Sequence, residues 1–245
     1  MKSDLNFKNL DLPSIKIVKT TPKVSTEELF SHKRCYFGIS LDNPHFFGRS
    51  LQALMLWGMG NFDQCLVLVG DYLRRFNEQI FSGMSKGQSI QVAHSFGDAF
   101  MNRTKSFFEQ LPARRVTLRR WEVCLETREY VKSRAALDDL FNSEPEFRAS
   151  VEKDAFSFIK RQTKHHKKLA VTMEEALELS CRYLLEEIAV FSSLSQQGWK
   201  VELYPGPELN VLVDIAKGNF KDVPAALKER INVELKISEK EAKTK

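Results

Sequence analysis

A short apolar run, Cys35-Tyr-Phe-Gly-Ile39, follows Arg34, reaches Ser40 and then meets Asp42-Asn43-Pro44. It has the length of a buried strand, and its abrupt polar end predicts a turn into a helix. A second run, Cys65-Leu-Val-Leu-Val69, closes at Gly70-Asp71. Between them Phe46, Phe47, Leu51, Leu54, Met55 and Trp57 recur at helical spacing up to Gly58 and Gly60. Strands that are apolar without alternation are covered on both faces, which is the condition of a parallel sheet, and a helical crossover is what joins parallel neighbours. This βαβ unit commits the chain to the α/β class.

The remaining stretches extend the same grammar. A helical pattern runs from Tyr72 to about Leu111 with a break over residues 83–87, and alternation over residues 116–124 predicts a third strand. Helices are expected over residues 126–142 and 146–168, and Thr172-Met-Glu-Glu175 is a capping box for a helix reaching about Ser193. Residues 199–204 read as a late strand closed by Pro205-Gly-Pro207, followed by one or two more helices and a charged tail. Alternating strands and helices without a regular period indicate a doubly wound sheet, not a repeat array. Residues 1–30, broken by Pro13 and Pro22 with one strand-like patch at residues 15–18, are expected as an extended, partly disordered arm. The domain is then 31–238 and the tail 239–245.

Composition narrows the function. At 245 residues and 42% hydrophobic, one core and one domain are expected. Thirty-seven basic against 32 acidic side chains leave a net charge of +5, too mild to establish nucleic-acid binding by itself. Cys35, Cys65, Cys124 and Cys181 are widely spaced within apolar or helical stretches, as reduced core cysteines are. The first 30 residues contain no apolar secretory core, and no run reaches the ~18 apolar residues needed to span a bilayer, so a cytoplasmic protein is expected. Gly58-Met-Gly60 lacks the third glycine of a dinucleotide loop, and there is no Gly-x-x-x-x-Gly-Lys phosphate loop. Gly38-Ile-Ser40-Leu-Asp42 lacks the second glycine of a hydrolase elbow, and His165-His166 has no further ligand at zinc spacing. No cofactor and no metal are expected.

The residues that could carry chemistry each admit a plainer reading. Strand alternation puts Tyr36, Gly38 and Ser40 on one face, so Ser40 is either a nucleophile facing a pocket or the cap of the next helix. Tyr183 and Glu187 lie one helical turn apart and could orient an amine and relay protons, or be an ordinary tyrosine near one of two adjacent acids, Glu186 and Glu187. Arg114, Arg115, Arg119 and Arg120 flank the third strand, either gripping phosphates or guarding an exposed edge. The tract Lys160, Arg161, Lys164, His165, His166, Lys167 and Lys168 is a solvated helix end or a phosphate contact.

Taken in order, Gly38-Ile-Ser40 with Asn43 and Phe46, Trp57 and Phe62 before the Cys65 strand, Asp71, Tyr183-x-x-x-Glu187 with Phe191, and Tyr204 closing a late strand resemble the cyclodipeptide synthases across about 170 residues. The resemblance implies an α/β fold: a single Rossmann-like domain, its sheet mostly parallel with helices on both faces, similar to the catalytic domain of class I aminoacyl-tRNA synthetases without their ATP-binding motifs. It implies two aminoacyl-tRNAs as partners and a cyclic dipeptide as product, with Ser40 carrying the first acyl group. Glu187 and Tyr183 would hold its α-amino group, with Tyr204 nearby. An aminoacyl ester is already activated, so a serine can take it without ATP or metal.

The family divides into two subgroups, and this chain mixes them: Asn43 resembles one and Tyr204-Pro205 the other. The resemblance nominates Tyr36, Gly38, Asn43, Val190, Glu202 and Pro205 around the first aminoacyl group, with Trp121 from the arginine-rich strand. Glu202 either points into that pocket and favours a polar or cationic side chain, or is solvated on an edge. The family's basic helix is represented thinly by Arg103 and Lys105, so Arg114, Arg115, Arg119, Arg120, Lys164, Lys167 and Lys168 are offered as further tRNA contacts. A monomer or weak dimer is expected. A non-catalytic tRNA-binding module and a serine hydrolase are the competing readings.

Overall fold

The computed structural model describes residues 11–164 and 168–239. Strands β1 (Ser14–Thr21), β2 (Arg34–Ile39), β3 (Gln64–Val69), β4 (Val116–Arg120), β5 (Val201–Tyr204) and β6 (Ile231–Ser238) form one sheet in the order β1-β6-β5-β2-β3-β4. All neighbours are parallel except β1, which runs antiparallel to β6. Helices α1 (Thr26–Ser31), α2 (Gly48–Asn61) and α4 (Lys86–Phe108) cover one face. The other carries α3 (Arg74–Ser82), α5 (Trp121–Leu125), α6 (Arg128–Ser143), α7 (Pro145–Lys164), α8 (Met173–Gln196), α9 (Asn210–Ala216) and α10 (Ala225–Lys228).

The apolar strands are explained by this double cover. In β3, Cys65, Val67 and Val69 enter one core while Leu66 and Leu68 enter the other, so neither face tolerates a polar side chain. In β2, Cys35, Phe37 and Ile39 face the α2 side, and Tyr36 faces α8. Helix α8 is buried along most of its length, which accounts for Leu184, Leu185, Ile188, Ala189, Val190, Phe191 and Leu194 along it. Thr172 caps it by accepting from the Glu175 N–H at 3.2 Å. The break between α3 and α4 is a left-handed Gly83 (φ 63°) followed by a Ser85–Gln88 capping box. Among the described residues no helix is long and apolar enough to cross a membrane.

Three expectations are corrected. Residues 14–21, assigned to an extended arm, form edge strand β1 within the sheet, so the folded unit begins before residue 31. The third strand stops at Arg120 instead of reaching Cys124, because β3 ends at Val69, its partner for Arg120, and no ladder continues beyond. A final strand, β6, occupies a stretch expected to be helical or tail. Its alternation buries Ile231, Val233 and Leu235 on the α2 side, the period-2 signal of a half-covered strand. Residues 1–10, 165–167 and 240–245 lie outside the described residues, and with them most of the expected tail.

The chain leaves β2 toward β3 and β4, then returns to the far side of β2 as β5. This reversal opens a crevice at the carboxyl ends of β2 and β5, where open α/β sheets hold their ligands.

Candidate active site

A cavity of about 690 Å³ occupies that crevice, and Ser40, Asn43, Tyr183, Glu187, Glu202 and Tyr204 all line it. Ser40 stands just beyond β2. The capping role that the sequence offered it belongs to Asn43, whose Oδ1 accepts from the His45 N–H at 3.0 Å and opens the turn Pro44–Phe46. The Asn43 N–H in turn donates to the Ser40 carbonyl at 3.1 Å, fixing the loop that carries the hydroxyl. Tyr204, at the end of β5, lines the same cavity as Asn43. Burial raises the Tyr204 pKa, and the polar Asn43 side chain opposes that rise.

Tyr183 and Glu187 project from the same face of α8. Tyr183 stacks on Phe158 of α7 with ring centroids 6.3 Å apart and meets Phe76 of α3 edge-on at 6.2 Å, so its ring is held from two sides. Burial, and secondarily the charge of Glu187, push its hydroxyl well above the usual tyrosine range. Glu187 is pushed up to about 8 by burial, with the negative charge of Glu202 adding to it and Arg230 opposing. It therefore holds a proton near neutral pH and ionises readily when a cation arrives. The adjacent acid is separated from it by about 100° of helix rotation. Glu186 faces inward, where both Arg75 guanidinium nitrogens bond its carboxylate and the Trp121 Nε1–H donates at 3.1 Å. The pair of acids thus divides into one structural member and one cavity member.

Glu202 is buried in the interior strand β5, which excludes the solvated reading. It is not a lone carboxylate either: Arg230, itself buried, bonds Glu202 and also Glu208, with the two Glu208 contacts at 3.1 and 3.2 Å. The Arg230 Nε–H donates to the Tyr36 hydroxyl at 3.0 Å, and its guanidinium lies 4.7 Å over the Phe191 ring. Burial raises the Glu208 pKa to about 7 against the pull of Arg230. Gly38, Trp121 and Pro205 line the cavity. Tyr36 and Val190 do not. Both are fully buried behind the wall, Tyr36 as the acceptor for Arg230 and Val190 in the core between α8 and the sheet. Arg230, Glu208 and Asn232 are cluster members that the linear reading missed. The alternation of β6 was the one signal that could have placed Asn232 on the cavity face.

The basic residues scatter. Arg120 pairs with Asp71 and Asp98, Arg119 donates to Gln197 Oε1 at 3.3 Å, and Arg115 donates to the carbonyls of Met59, Phe62 and Asp63. These three are engaged inside the fold. Arg114 joins Lys33 and Arg34 in a shallow basic concavity where the parallel strands begin, roughly 20 Å from Ser40 at ~3.3 Å per residue of β2. Arg103 lies over Phe47 at 5.5 Å, Lys105 pairs with Glu109 at 3.8 Å, and Lys164 and Lys168 are exposed. Lys167 is outside the described residues. Among the described residues no cluster of three or more His, Cys, Asp and Glu could hold a metal ion. What converges is a hydroxyl, two phenols and a proton-holding carboxyl around one void, a set suited to acyl transfer with an amine in the site.

A family profile described as cyclodipeptide synthase matches residues 20–196. No curated protein matches the chain. Among solved structures, a cyclodipeptide synthase from Fluoribacter dumoffii superposes with a TM-score of 0.76 at 18% identity, over 92% of this chain and 99% of that one. A Mycobacterium tuberculosis protein, whose structure relates cyclodipeptide synthetases to type I tRNA-synthetases, gives 0.72 at 14% identity over 93% and 94%. The synthase of Candidatus Glomeribacter gigasporarum, solved bound to Phe-tRNAPhe, gives 0.62 at 15% identity over 86% and 90%. At these identities the structural likeness is one of fold.

Proposed function

The chain belongs to the cyclodipeptide synthase family, and from that premise we propose that it joins the aminoacyl groups of two charged tRNAs into a cyclic dipeptide through an acyl-enzyme on Ser40. The observation that carries this reading is the convergence of Ser40, Tyr183, Glu187 and Tyr204, from β2, α8 and β5, on one cavity.

The Ser40 hydroxyl attacks the ester carbonyl of the first aminoacyl-tRNA. A bond forms from Oγ to the carbonyl carbon, the bond to the ribose oxygen breaks, and the hydroxyl proton leaves with the freed ribose. Glu187 holds the α-amino group. Its raised pKa, about 8, lies close to that of an α-amine, so a proton passes between the two at little cost. Tyr183 and Tyr204 position that amine and the acyl carbonyl. The amine of the second aminoacyl-tRNA then attacks the acyl-enzyme and releases Ser40, leaving a dipeptidyl-tRNA. Its terminal amine closes on its own ester, expelling the second tRNA and forming the ring. Each step exchanges an ester for an ester or an amide, so no external energy source enters the sequence. The tRNA bodies are proposed to contact Arg103, Lys105, Arg114, Lys164 and Lys168, and the cytoplasm, where charged tRNAs are made, is the proposed site of action.

Expression in a bacterial host followed by mass spectrometry of the medium tests this. A diketopiperazine present with wild type and absent with Ser40→Ala is the expected result. Equal amounts from both would remove Ser40 from the chemistry.

A further inference from the structure

The cavity continues past Ser40 to a floor made by Glu202, Asn232 and Glu208, and this floor offers hydrogen-bond acceptors almost exclusively. The donors of Arg230, which does not line the cavity, are directed to Tyr36, Glu202 and Glu208 behind it. Asn232 is 2% exposed, and its Nδ2 lies 3.5 Å from Glu202 Oε2. A carboxylate only accepts, so this neighbour fixes the amide with its NH₂ toward Glu202 and its carbonyl oxygen turned away. That oxygen, Oδ1, is buried and has no hydrogen-bond partner. The bonds of Glu202 to Arg230 and Asn232 run through Oε2, and its Oε1 sits at the cavity wall, 3.1 Å from where a Cβ on Gly38 would stand. A chain without Cβ at position 38 is what leaves this oxygen room beside the strand. Two acceptors and a second carboxylate, Glu208, thus meet a single buried cation, Arg230. A buried acceptor left unmatched costs about 1–3 kcal/mol, so the void is shaped for a group that donates.

The depth of the floor sets the size of that group. Gly38 is two residues back from Ser40 along β2, roughly 6.6 Å at ~3.3 Å per residue. An alanyl or seryl side chain ends well short of this depth, whereas histidyl, glutaminyl, lysyl and arginyl side chains reach it. Trp121 and Phe191 supply apolar walls for the carbon stem.

Resting on the acyl-transfer reading above, we propose that the aminoacyl group loaded on Ser40 has a side chain of intermediate to long reach ending in nitrogen donors, selected by Glu202 and Asn232. Short, aliphatic and acidic side chains are rejected because they leave the floor acceptors unpaired or oppose them with like charge.

Purified protein is incubated with each aminoacyl-tRNA separately, and the acyl adduct is read by intact-protein mass spectrometry. Histidyl-, glutaminyl-, lysyl- or arginyl-tRNA is expected to acylate Ser40 on the order of 100-fold faster than leucyl-, alanyl- or glutamyl-tRNA, since sites that hydrogen-bond a substrate N–H discriminate at least this strongly. In Asn232→Leu, which removes the unpaired acceptor and keeps the volume, that ratio falls at least tenfold. Glu202→Gln, which keeps the shape, is the second variant and lowers the preference for cationic over neutral donors. Acylation predominantly by leucyl-, alanyl- or glutamyl-tRNA overturns the proposal while leaving acyl transfer standing, as does a ratio within twofold of wild type in both variants. No adduct from any aminoacyl-tRNA, with no diketopiperazine in culture, overturns the proposal and the acyl-transfer reading together.

Discussion

Replacing Glu187 by Gln separates the cost of the site from its use. In the folded chain the carboxyl is raised from an ordinary 4.5 to about 8, burial being the largest cause and Glu202 the next. Between these pH values the unfolded chain releases a proton that the folded chain retains, so stability falls as pH rises across this window and levels off above the folded pKa. At ~1.36 kcal/mol per unit the full shift sets a ceiling of roughly 5 kcal/mol. The value of about 8 already includes the pull of Arg230; water entering the cavity reduces the cost further, and about 1–3 kcal/mol is the expected realised cost at pH 8.5. Glutamine removes the titration and keeps the shape. The variant is therefore expected to match wild type in thermal stability near pH 4.5, to exceed it increasingly as pH rises, and to lead by roughly 2–12 °C at pH 8.5, given about 2–4 °C per kcal/mol for a chain of this size. Differential scanning calorimetry from pH 4.5 to 9 provides the measurement, with diketopiperazine output measured in parallel and expected to collapse. A Tm difference that is flat with pH, or one that favours wild type at pH 8.5, refutes the reasoning.

Arg230→Met leaves Glu202 and Glu208 buried without their cation and is expected to cost about 3–5 kcal/mol, read as a fall in urea midpoint; an unchanged midpoint means the cluster is hydrated. Asn43→Ala removes the cap on His45 that holds the Ser40 loop, so stability is expected to drop by about 1 kcal/mol while product falls tenfold or more; proportionate losses in both would deny Asn43 a positioning role. Charge reversal at Lys164 and Lys168 together is expected to weaken use of aminoacyl-tRNA and to flatten its salt dependence, measured as initial rate against ionic strength. The same reversal at Arg120, which pairs with Asp71 and Asp98, is expected to lower thermal stability by several degrees instead, and a salt-dependent rate effect without a stability loss would contradict that.

The strands and helices nearest the site were legible because their signals are local. Two-sided burial makes β2 and β3 continuous apolar runs, the Thr172 cap marks the start of α8, and the glycines over residues 83–87 mark the break before α4. β6 was not, since eight residues of alternation after a short helix resemble the charged tail that follows, and the pairing that stabilises it comes from β1 and β5 at the far ends of the chain. The tRNA contacts were harder still: an arginine on a strand reads as free charge until its partner is known, and Arg115, Arg119 and Arg120 all have partners inside the fold.

The sequence by itself determined the α/β class, the stop of β2 at Ser40, and the one-turn pairing of Tyr183 with Glu187. These depend on spacing within one element, where strand and helix periods leave little freedom. Only the tertiary structure decided that Asn43 and not Ser40 supplies the cap, that Glu186 turns inward and Glu187 toward the cavity, and that Tyr36 lies behind the wall. It alone brought Arg230 to a hydroxyl 194 residues away and set Glu202 and Asn232 side by side across two strands. Buried charges find their partners through the order of strands in the sheet, and that order is fixed by how both faces are covered, which no local stretch of residues encodes.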